Sequence, residues 1–168
     1  MLLAEDGTLA VDEWHHLADD EPVPASGLVT VSFARWQVDE GTLRARGDKL
    51  GLRLPNTIDP KELAGDLDRF ALIILDFPKF TDGRAYSQAR LLRTRFHYRG
   101  ELRAGGNVLR DQLLFMRRCG FNSFVVGERA IKENWAKAFG EFDVFYQSAP
   151  DNRPWIMRQR LLPHINDR

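Results

Sequence analysis

The chain has 168 residues, of which 43% are hydrophobic and 29% charged, so it can build the core of one domain and wholesale disorder is not expected. No apolar run approaches the roughly 20 residues of a membrane-spanning helix, and the acidic N-terminus lacks the basic and apolar parts of a signal peptide. The single cysteine, Cys119, excludes an internal disulfide and an iron–sulfur cluster held by the chain's own thiolates, which takes about four. We therefore expect a cytoplasmic protein with no membrane association.

The net charge is zero, but the charges are unevenly distributed along the chain. Residues 1–78 carry 7 basic and 15 acidic side chains, residues 79–118 carry 10 and 3, and residues 119–168 carry 7 and 6. Two interpretations fit. In the first, the acidic part of the chain covers the basic segment, or both are simply solvated. In the second, the basic segment binds an anionic ligand or an acidic partner protein.

The first 27 residues are predicted to form a small hairpin and a linker. Asp6 and Gly7 are a hairpin turn signal between two short strands, and the polar, proline-containing residues 19–24 are typical of a linker. An α/β domain is predicted over residues 28–148. Its first elements are a strand over residues 28–36, a helix over 39–50 and a helix over 60–67.

From residue 70 onwards, strands and helices alternate with short connections. Residues 70–77 read FALIILDF, and this unbroken apolar run is typical of a strand covered on both faces in a parallel sheet. Residues 85–96 form an amphipathic helix with a buried stripe, and Gly120 is predicted to end a second helix. The further elements are a strand over 101–104, helices over 108–118 and 130–139, and strands over 121–126 and 142–147.

This βαβαβαβ order predicts an α/β fold with a mostly parallel sheet built from right-handed crossovers. Two architectures fit the order: an open doubly wound sheet, and a partial β/α barrel closed by the N-terminal strand. About five strands are too few for a complete eight-stranded barrel. The tail, residues 149–168, carries Trp155 and four arginines, and we expect it to pack along the surface or to mediate association, such as a homo-oligomer.

Ligands of α/β proteins gather where strands end and helices begin, and the first charged junction follows the apolar strand. Asp76 lies at the carboxyl end of that strand and Lys79 lies in the loop. Thr81 or Asp82 caps the next helix, whose first turn holds Arg84. A carboxylate and two cations around a helix N-terminus can hold an anion and transfer a proton. In the alternative interpretation, they only cap the helix and pair with one another. The candidate catalytic residues are Asp76, Lys79, Asp82 and Arg84.

The second junction follows the strand that begins at residue 101. Glu101 and Arg103 fall on one face of this strand, so it lies at a sheet edge or lines a polar cavity. Gly105, Gly106 and Asn107 then expose backbone N–H groups that hold a phosphate, sulfate or carboxylate, or they form only a tight turn.

On the helix between the two junctions, Ser87, Arg90 and Arg93 share a face away from the apolar stripe. These arginines bind an anion or an acidic partner, or they are simply solvated. A neutral pI and the lack of interleaved exposed aromatics argue against nucleic acid. The predicted anion-binding residues are Arg84, Arg90, Arg93, Glu101, Arg103, Gly105, Gly106 and Asn107.

Other kinds of site have little support in the sequence. Neither GxGxxG nor GxxxxGK[ST] occurs, so we predict no dinucleotide site, no P-loop and no cofactor. His15 and His16 are adjacent and cannot both face one metal ion, so we predict no metal site. Cys119 ends a helix, where the dipole disfavours a thiolate, and we expect it to be a buried residue rather than a nucleophile.

The middle of the chain carries a long, gap-free motif, FPKFTDGRAYSQARLLRTRFHYRGELRAGGNVLRDQLLFMRRCGFNSF. This motif closely resembles the signature of an uncharacterised proteobacterial family, domain of unknown function 934, and the resemblance covers roughly residues 54–147. It implies that the gene lies beside genes for assimilatory sulfite or nitrite reductase and phosphoadenylylsulfate reductase. Members often carry the label oxidoreductase, although no redox-cofactor motif occurs in this sequence. The family has no established catalytic residues to carry over.

Two hypotheses follow. The leading hypothesis is an accessory protein of assimilatory sulfate and sulfite reduction, which uses its arginine-rich face to assist sulfite reductase or another sulfur-assimilation enzyme. The alternative is a small enzyme or binding protein for an anionic metabolite, phosphorylated or a sulfur oxyanion, at the C-terminal ends of the strands. Whether the chain is an enzyme is left open by the sequence.

Overall fold

The structure is a computed structural model that describes residues 1–142, 145–146 and 148–150. Eight strands within these residues form a single sheet in the order β2-β1-β8-β7-β6-β5-β4-β3. The strands are β1 (Leu2–Ala4), β2 (Leu9–Ala10), β3 (His15–His16), β4 (Val29–Ser32), β5 (Leu50–Leu54), β6 (Phe70–Phe77), β7 (Glu101–Gly106) and β8 (Ser123–Val125).

The sheet is mostly parallel and is wound in one direction. Strands β3 to β8 pair in chain order and each pair is parallel. A doubly wound sheet reverses its strand order at a switch point, whereas this sheet has no reversal between β3 and β8. The partial β/α barrel is therefore the correct alternative of the two, and the sheet curls into a half-barrel. The predicted N-terminal hairpin is confirmed, because β1 pairs antiparallel with β2 and with β8.

The connection between the two edges of the sheet explains its strong curl. Strands β2 and β3 lie at opposite edges, but only residues 11–14 separate them along the chain. Seven strand spacings in a flat sheet amount to about 34 Å. The five peptide units from Ala10 to His15 span at most about 18 Å. The edges must therefore approach each other, and residues 11–14 form a strap across the open, concave side of the half-barrel.

The helices cover the convex side of the sheet, where alternate strand residues form the main hydrophobic core. Leu52, Ile73 and Leu102 stand in register on this side and are fully buried. Ala85, Ala89 and Leu92 contribute the predicted apolar stripe from the helix that follows β6, and all three are fully buried. The helices are α1 (Phe33–Val38), α2 (Glu40–Arg44), α3 (Arg84–Thr94), α4 (Leu113–Cys119) and α5 (Glu128–Lys132), with 3-10 turns at Pro60–Leu63, Leu67–Arg69, Arg110–Gln112 and Trp135–Gly140.

Two elements predicted in the first third of the domain, the strand over 28–36 and the helix over 39–50, end earlier than predicted. The predicted strand over 28–36 ends at Ser32, because the Ser32 hydroxyl accepts a hydrogen bond from the Arg35 amide (3.1 Å) and caps α1. The predicted helix over 39–50 ends at Arg44, and strand β5 follows. Strand β5 contains a glycine and an arginine, so its local propensity is weak, and its pairing with β4 and β6 stabilises it.

The later elements agree more closely with the prediction. The strand over 70–77 and the end of α4 at Gly120, which has a φ of 112°, are confirmed. The predicted helix over 130–139 is divided into α5 and a 3-10 turn, because Asn134 adopts a left-handed conformation with a φ of 49°. The predicted helix over 60–67 is wrong in its length: a 3-10 turn capped by Asp59 covers Pro60–Leu63, and a second 3-10 turn begins only at Leu67.

The predictions for the chain ends have different outcomes. The predicted strand over 142–147 lies partly, and the tail over 151–168 entirely, outside the described residues. The division into residues 1–27, 28–148 and 149–168 stays a prediction, although β1, β2 and β3 belong to the same sheet as the later strands. Within the described part of the chain, no helix has the length and apolar character needed to cross a membrane.

The turn after β7 generates a first prediction. Gly106 has a φ of 80°, and a Cβ atom on it would lie 2.5 Å from the backbone oxygen of Phe77. We expect Gly106→Ala to lower the free energy of unfolding by about 2 kcal/mol or more, because the left-handed conformation alone costs about 1–2 kcal/mol. Urea denaturation measures this change. Gly65→Ala is the control, since a Cβ atom there meets nothing within 4 Å, and an equal loss in both variants would contradict the prediction.

Candidate functional site

The concave face of the half-barrel carries most of the polar side chains of the sheet. Because paired residues of neighbouring strands share a face, the register places them in layers. Thr30, Gly51, Leu72 and Glu101 form one layer. The next layer towards the carboxyl ends contains Ser32, Arg53, Ile74, Arg103 and Ser123, and the last contains Asp76 and Gly105.

Asp76 and Arg53 form an ion pair at the carboxyl ends of β5 and β6. Asp76 Oδ2 lies 3.4 Å from Arg53 Nε, and the side chains are 30% and 52% exposed. Burial raises the pKa of Asp76, and the positive charge of Arg53 opposes this rise. The pair therefore combines a carboxyl group of raised pKa with a guanidinium that solvent, or a ligand, can reach.

Gly105 makes room for this carboxyl group on the adjacent strand. A Cβ atom at position 105 would lie 2.8 Å from Asp76 Oδ1 and 3.0 Å from a methyl carbon of Ile74. Asp76 consequently occupies the space that a side chain on β7 would fill. The Gly105 of the predicted junction thus positions a candidate catalytic side chain.

A groove of about 350 Å³ opens beside this pair, at the carboxyl ends of β3, β4 and β5. Arg53 and Ser32 line it from two paired strand positions. The Ser32 hydroxyl donates a hydrogen bond to Asp19 Oδ1 (2.6 Å). The full lining consists of His16, Leu17, Ala18, Asp19, Thr30, Val31, Ser32 and Arg53.

Deeper in the concave face, Arg103 is the centre of a buried ionic network. Its side chain is only 1% exposed. Its Nε and Nη2 atoms lie 3.0 and 2.8 Å from Glu101 Oε1, and its Nη1 atom lies 2.8 Å from Asp12 Oδ2. Glu101 Oε1 also accepts a hydrogen bond from Ser123 (2.5 Å). Of the two predicted positions for this charged strand, the polar interior is therefore correct and the sheet edge is wrong.

Asp12 connects this network to the strap and to β3. Its Oδ2 atom lies 2.8 Å from His16 Nε2, which must carry the hydrogen, and His16 Nδ1 lies 2.7 Å from the Thr30 hydroxyl. The Trp14 amide donates to Asp12 Oδ1 (3.1 Å). Partial burial raises the pKa of Asp12, but the hydrogen bonds from His16, Trp14 and Arg103 and the charge of Arg103 outweigh it, so the pKa is held below its ordinary value.

The rest of the first predicted junction makes no contact with the Arg53–Asp76 pair among the described hydrogen bonds and ion pairs. Lys79 is exposed. Arg84 binds Asp82 through two hydrogen bonds, Nε to Oδ1 (3.0 Å) and Nη2 to Oδ2 (2.6 Å), and these hold the pKa of Asp82 well below its usual range. The cation in the first turn of α3 thus pairs with a neighbouring carboxylate rather than with Asp76, whose ion-pair partner is Arg53.

The backbone amides of the second junction already have acceptors within the chain. The Asn107 amide donates to the Phe77 oxygen (2.8 Å), and the Val108 amide donates to the Gly106 oxygen (3.0 Å). Gly106 and Asn107 are exposed. These residues form a tight turn at the mouth of the half-barrel. The amides of Asn107 and Val108 are used within this turn, so fewer N–H groups are open to an anion than we expected.

The predicted arginine face of α3 is divided by the structure. Arg90 is exposed, whereas Arg93 donates to the backbone oxygens of Gly120, Tyr98 and Gly100 at 2.7–2.9 Å. Burial lowers the pKa of Arg93. Arg93 lines a broad groove of about 840 Å³ at the opposite, amino ends of β7 and β8, where its guanidinium holds loops together.

The comparison with protein families agrees with the motif in the middle of the chain. The family described as "Bacterial protein of unknown function (DUF934)" matches residues 51–156. The chain belongs to this family. Comparison with curated proteins and with solved structures finds no match. The family description names no activity, so the chemistry of this domain has to be inferred from the geometry of the site.

The DUF934 match contains only part of the site. Arg53, Asp76, Glu101, Arg103 and Ser123 fall within it, whereas the residues contributed by the strap, β3 and β4 precede it. Among the described residues, no group of three or more His, Cys, Asp or Glu side chains is placed to hold a metal ion. Cys119 is buried, as expected.

Sequence reasoning missed the residues that complete the concave face, namely Asp12, His16, Asp19, Thr30, Ser32, Arg53 and Ser123. Arg53 was missed because the predicted helix over 39–50 took the first residue of β5 and no strand was predicted for the residues after it. An available signal was the alternation in LGLRL, where Gly51 and Arg53 share one face and three leucines the other. The contribution of Asp12 had no local signal, because its partner Arg103 is 91 residues away.

The Asp12 contact generates a second prediction. We expect Asp12→Asn to lower the free energy of unfolding by about 1–3 kcal/mol at neutral pH, because Arg103 loses a charged acceptor but keeps Glu101. The folded-state pKa of Asp12 is lower than that of the unfolded chain, so its stabilisation is complete above about pH 4 and is lost as the pH falls through the folded-state value. The variant should therefore lose less stability than the wild type on acidification.

Urea denaturation at a series of pH values measures both effects. Asp20→Asn is the matched control, because Asp20 is exposed and does not line the groove. A variant whose acid dependence equals that of the wild type would show that Asp12 does not stabilise the fold through its charge.

Proposed function

We propose that this protein binds a small anionic metabolite at the carboxyl ends of β4, β5 and β6 and can exchange a proton with it. The single observation that carries the proposal is the Arg53–Asp76 pair beside the 350 Å³ groove. This edge of a parallel sheet is where β/α proteins bind their ligands.

The two side chains have complementary roles in this proposal. Arg53 is half-exposed and its guanidinium can bind an oxyanion through parallel hydrogen bonds. When the anion displaces Asp76 from Arg53, the burial of Asp76 remains unopposed, and its carboxyl group takes up a proton more readily. Asp76 can then serve as a general acid or base towards the bound molecule.

The surrounding residues support a preformed site. Ser32 and Thr30 add hydroxyl groups along the groove, and Thr30 is oriented by His16. The Arg103 network holds the floor of the concave face rigid, because its charges are paired within the protein. Positioned polar groups in a concave site are the usual requirement for small-molecule recognition.

A thermal-shift panel of sulfite, sulfate, phosphate and nucleotides tests the proposal. A ligand present at 100 times its Kd should stabilise the wild type by about 2.7 kcal/mol. For a chain of this size this corresponds to about 5–10 °C in Tm. Arg53→Ala should abolish the shift, since it removes the cation that binds the anion.

Arg129→Ala is the matched control for this panel. Arg129 is exposed on α5, and its ion-pair partner among the described residues is the nearby Glu133 (2.7 Å), so its removal should leave the ligand-induced shift unchanged. An Arg53 variant that keeps the full shift would contradict the assignment of the site.

We also propose that the protein acts as an accessory protein of assimilatory sulfate and sulfite reduction and assists sulfite reductase. The family membership supports this proposal through the genomic neighbourhood that the resemblance implies. The exposed Arg90 on α3 and the basic balance of residues 79–118 are compatible with docking to an acidic partner. In this setting a sulfur oxyanion is the natural occupant of the groove.

A deletion strain tests the pathway. We expect it to grow on cysteine but poorly on sulfate and sulfite, because the defect would lie at or before sulfide formation. A plasmid carrying the wild-type gene should restore growth, whereas one carrying Arg90→Glu should not if Arg90 contacts the partner. Arg129→Glu is the control on the far helix, and normal growth of the deletion strain on sulfate would remove the pathway assignment.

A further inference from the structure

We infer that the ligand of the groove is dipolar, with an ammonium group that binds Asp19 and an anionic group that binds Arg53. This inference rests on the proposed function and specifies the class of ligand for the same site. The observation behind it is that the groove is lined by both signs of charge.

Asp19 lies next to Arg53 across the strands. The Ser32 hydroxyl donates to Asp19 Oδ1 at 2.6 Å, and Ser32 stands in register with Arg53 on the neighbouring strand. Neighbouring strands are about 4.8 Å apart. The carboxylate of Asp19 and the guanidinium of Arg53 are therefore placed to contact two ends of one small molecule.

Asp19 also lacks a cation of its own among the described residues. Within the described part of the chain its side chain accepts a hydrogen bond from the Ser32 hydroxyl and is exposed. By contrast, Asp76 pairs with Arg53, Asp12 pairs with Arg103 and His16, and Asp82 pairs with Arg84. Asp19 is thus the carboxylate of the site that can accept a hydrogen bond from a charged donor.

The charge balance of the site leads to the same ligand class. One carboxylate, Asp19, and one guanidinium, Arg53, line the groove, a second carboxylate, Asp76, pairs with Arg53, and His16 is held by Asp12. A simple dianion would gain one favourable contact and meet two unfavourable charges. An ammonium group on the same ligand turns the contact with Asp19 into a charge-assisted hydrogen bond.

Three sulfonates that differ in one substituent test the inference. Taurine, isethionate and ethanesulfonate share the sulfonate group and the two-carbon chain, and carry an ammonium, a hydroxyl and a hydrogen on the second carbon. Isothermal titration of the wild type should show taurine binding at least about tenfold more tightly than ethanesulfonate, which corresponds to about 1.4 kcal/mol. Phosphoethanolamine and ethyl phosphate provide the same comparison for a phosphate group and distinguish the two anion classes.

Variants separate this inference from the proposed function. Asp19→Asn keeps an oxygen for Ser32 and should reduce taurine binding about tenfold without weakening ethanesulfonate, because ethanesulfonate has no ammonium group to lose a contact. Asp20→Asn should leave taurine binding unchanged. Arg53→Ala should abolish binding of every probe. Equal affinities of the three sulfonates and of the two phosphates, with loss in Arg53→Ala, would overturn the dipolar ligand but keep the anion site. Unchanged affinities in Arg53→Ala would overturn both. No binding of any of the five probes to the wild type would overturn the dipolar ligand, and the thermal-shift panel of simple oxyanions then decides the proposed function.

Discussion

The Arg103 guanidinium is held between carboxylates from two distant parts of the chain, Glu101 on its own strand and Asp12 on the strap. A buried guanidinium without partners would cost several kcal/mol, so its position requires both carboxylates to be nearby. This requirement ties the N-terminal strap to the centre of the sheet. Because the strap joins the two edge strands, the same contact is linked to the curl of the half-barrel.

The curl in turn decides which side of the sheet carries chemistry. Helices cover the convex side, where Leu52, Ile73 and Leu102 are buried against them. The concave side is lined by the ionic network and by the Arg53–Asp76 pair. Strand β6 shows both environments, since its apolar run is buried on each face and ends in Asp76 at the mouth. A functional site at this end is a consequence of the architecture.

The parts of the fold that follow from local pattern were predicted well. The apolar run of β6, the stripe on α3 and the glycine after α4 each depend on residues close together in the sequence. Strand β5 was missed because its stability depends on two neighbouring strands, and with it Arg53 was missed. Of the candidate site, Asp76, Glu101, Arg103 and Gly105 were located, because each lies on a strand that its own pattern identifies. Arg84 pairs with a nearby carboxylate, and Arg93 donates to backbone oxygens. From composition and charge alone, an arginine with such partners looks the same as an arginine that binds a ligand.

The sequence by itself determined that this is an α/β chain with a buried parallel strand, and that Glu101 and Arg103 share one face of a strand. The period-two alternation of a strand and the 3.6-residue period of a helix are enough for such statements. Only the tertiary structure decided that Asp12 meets Arg103, that Arg53 meets Asp76 and that Asp19 and Arg53 line one groove. These contacts depend on strand order and on the closure of the sheet by the strap, and both are set by pairings between residues far apart in the chain, which leave no periodic signal in the sequence.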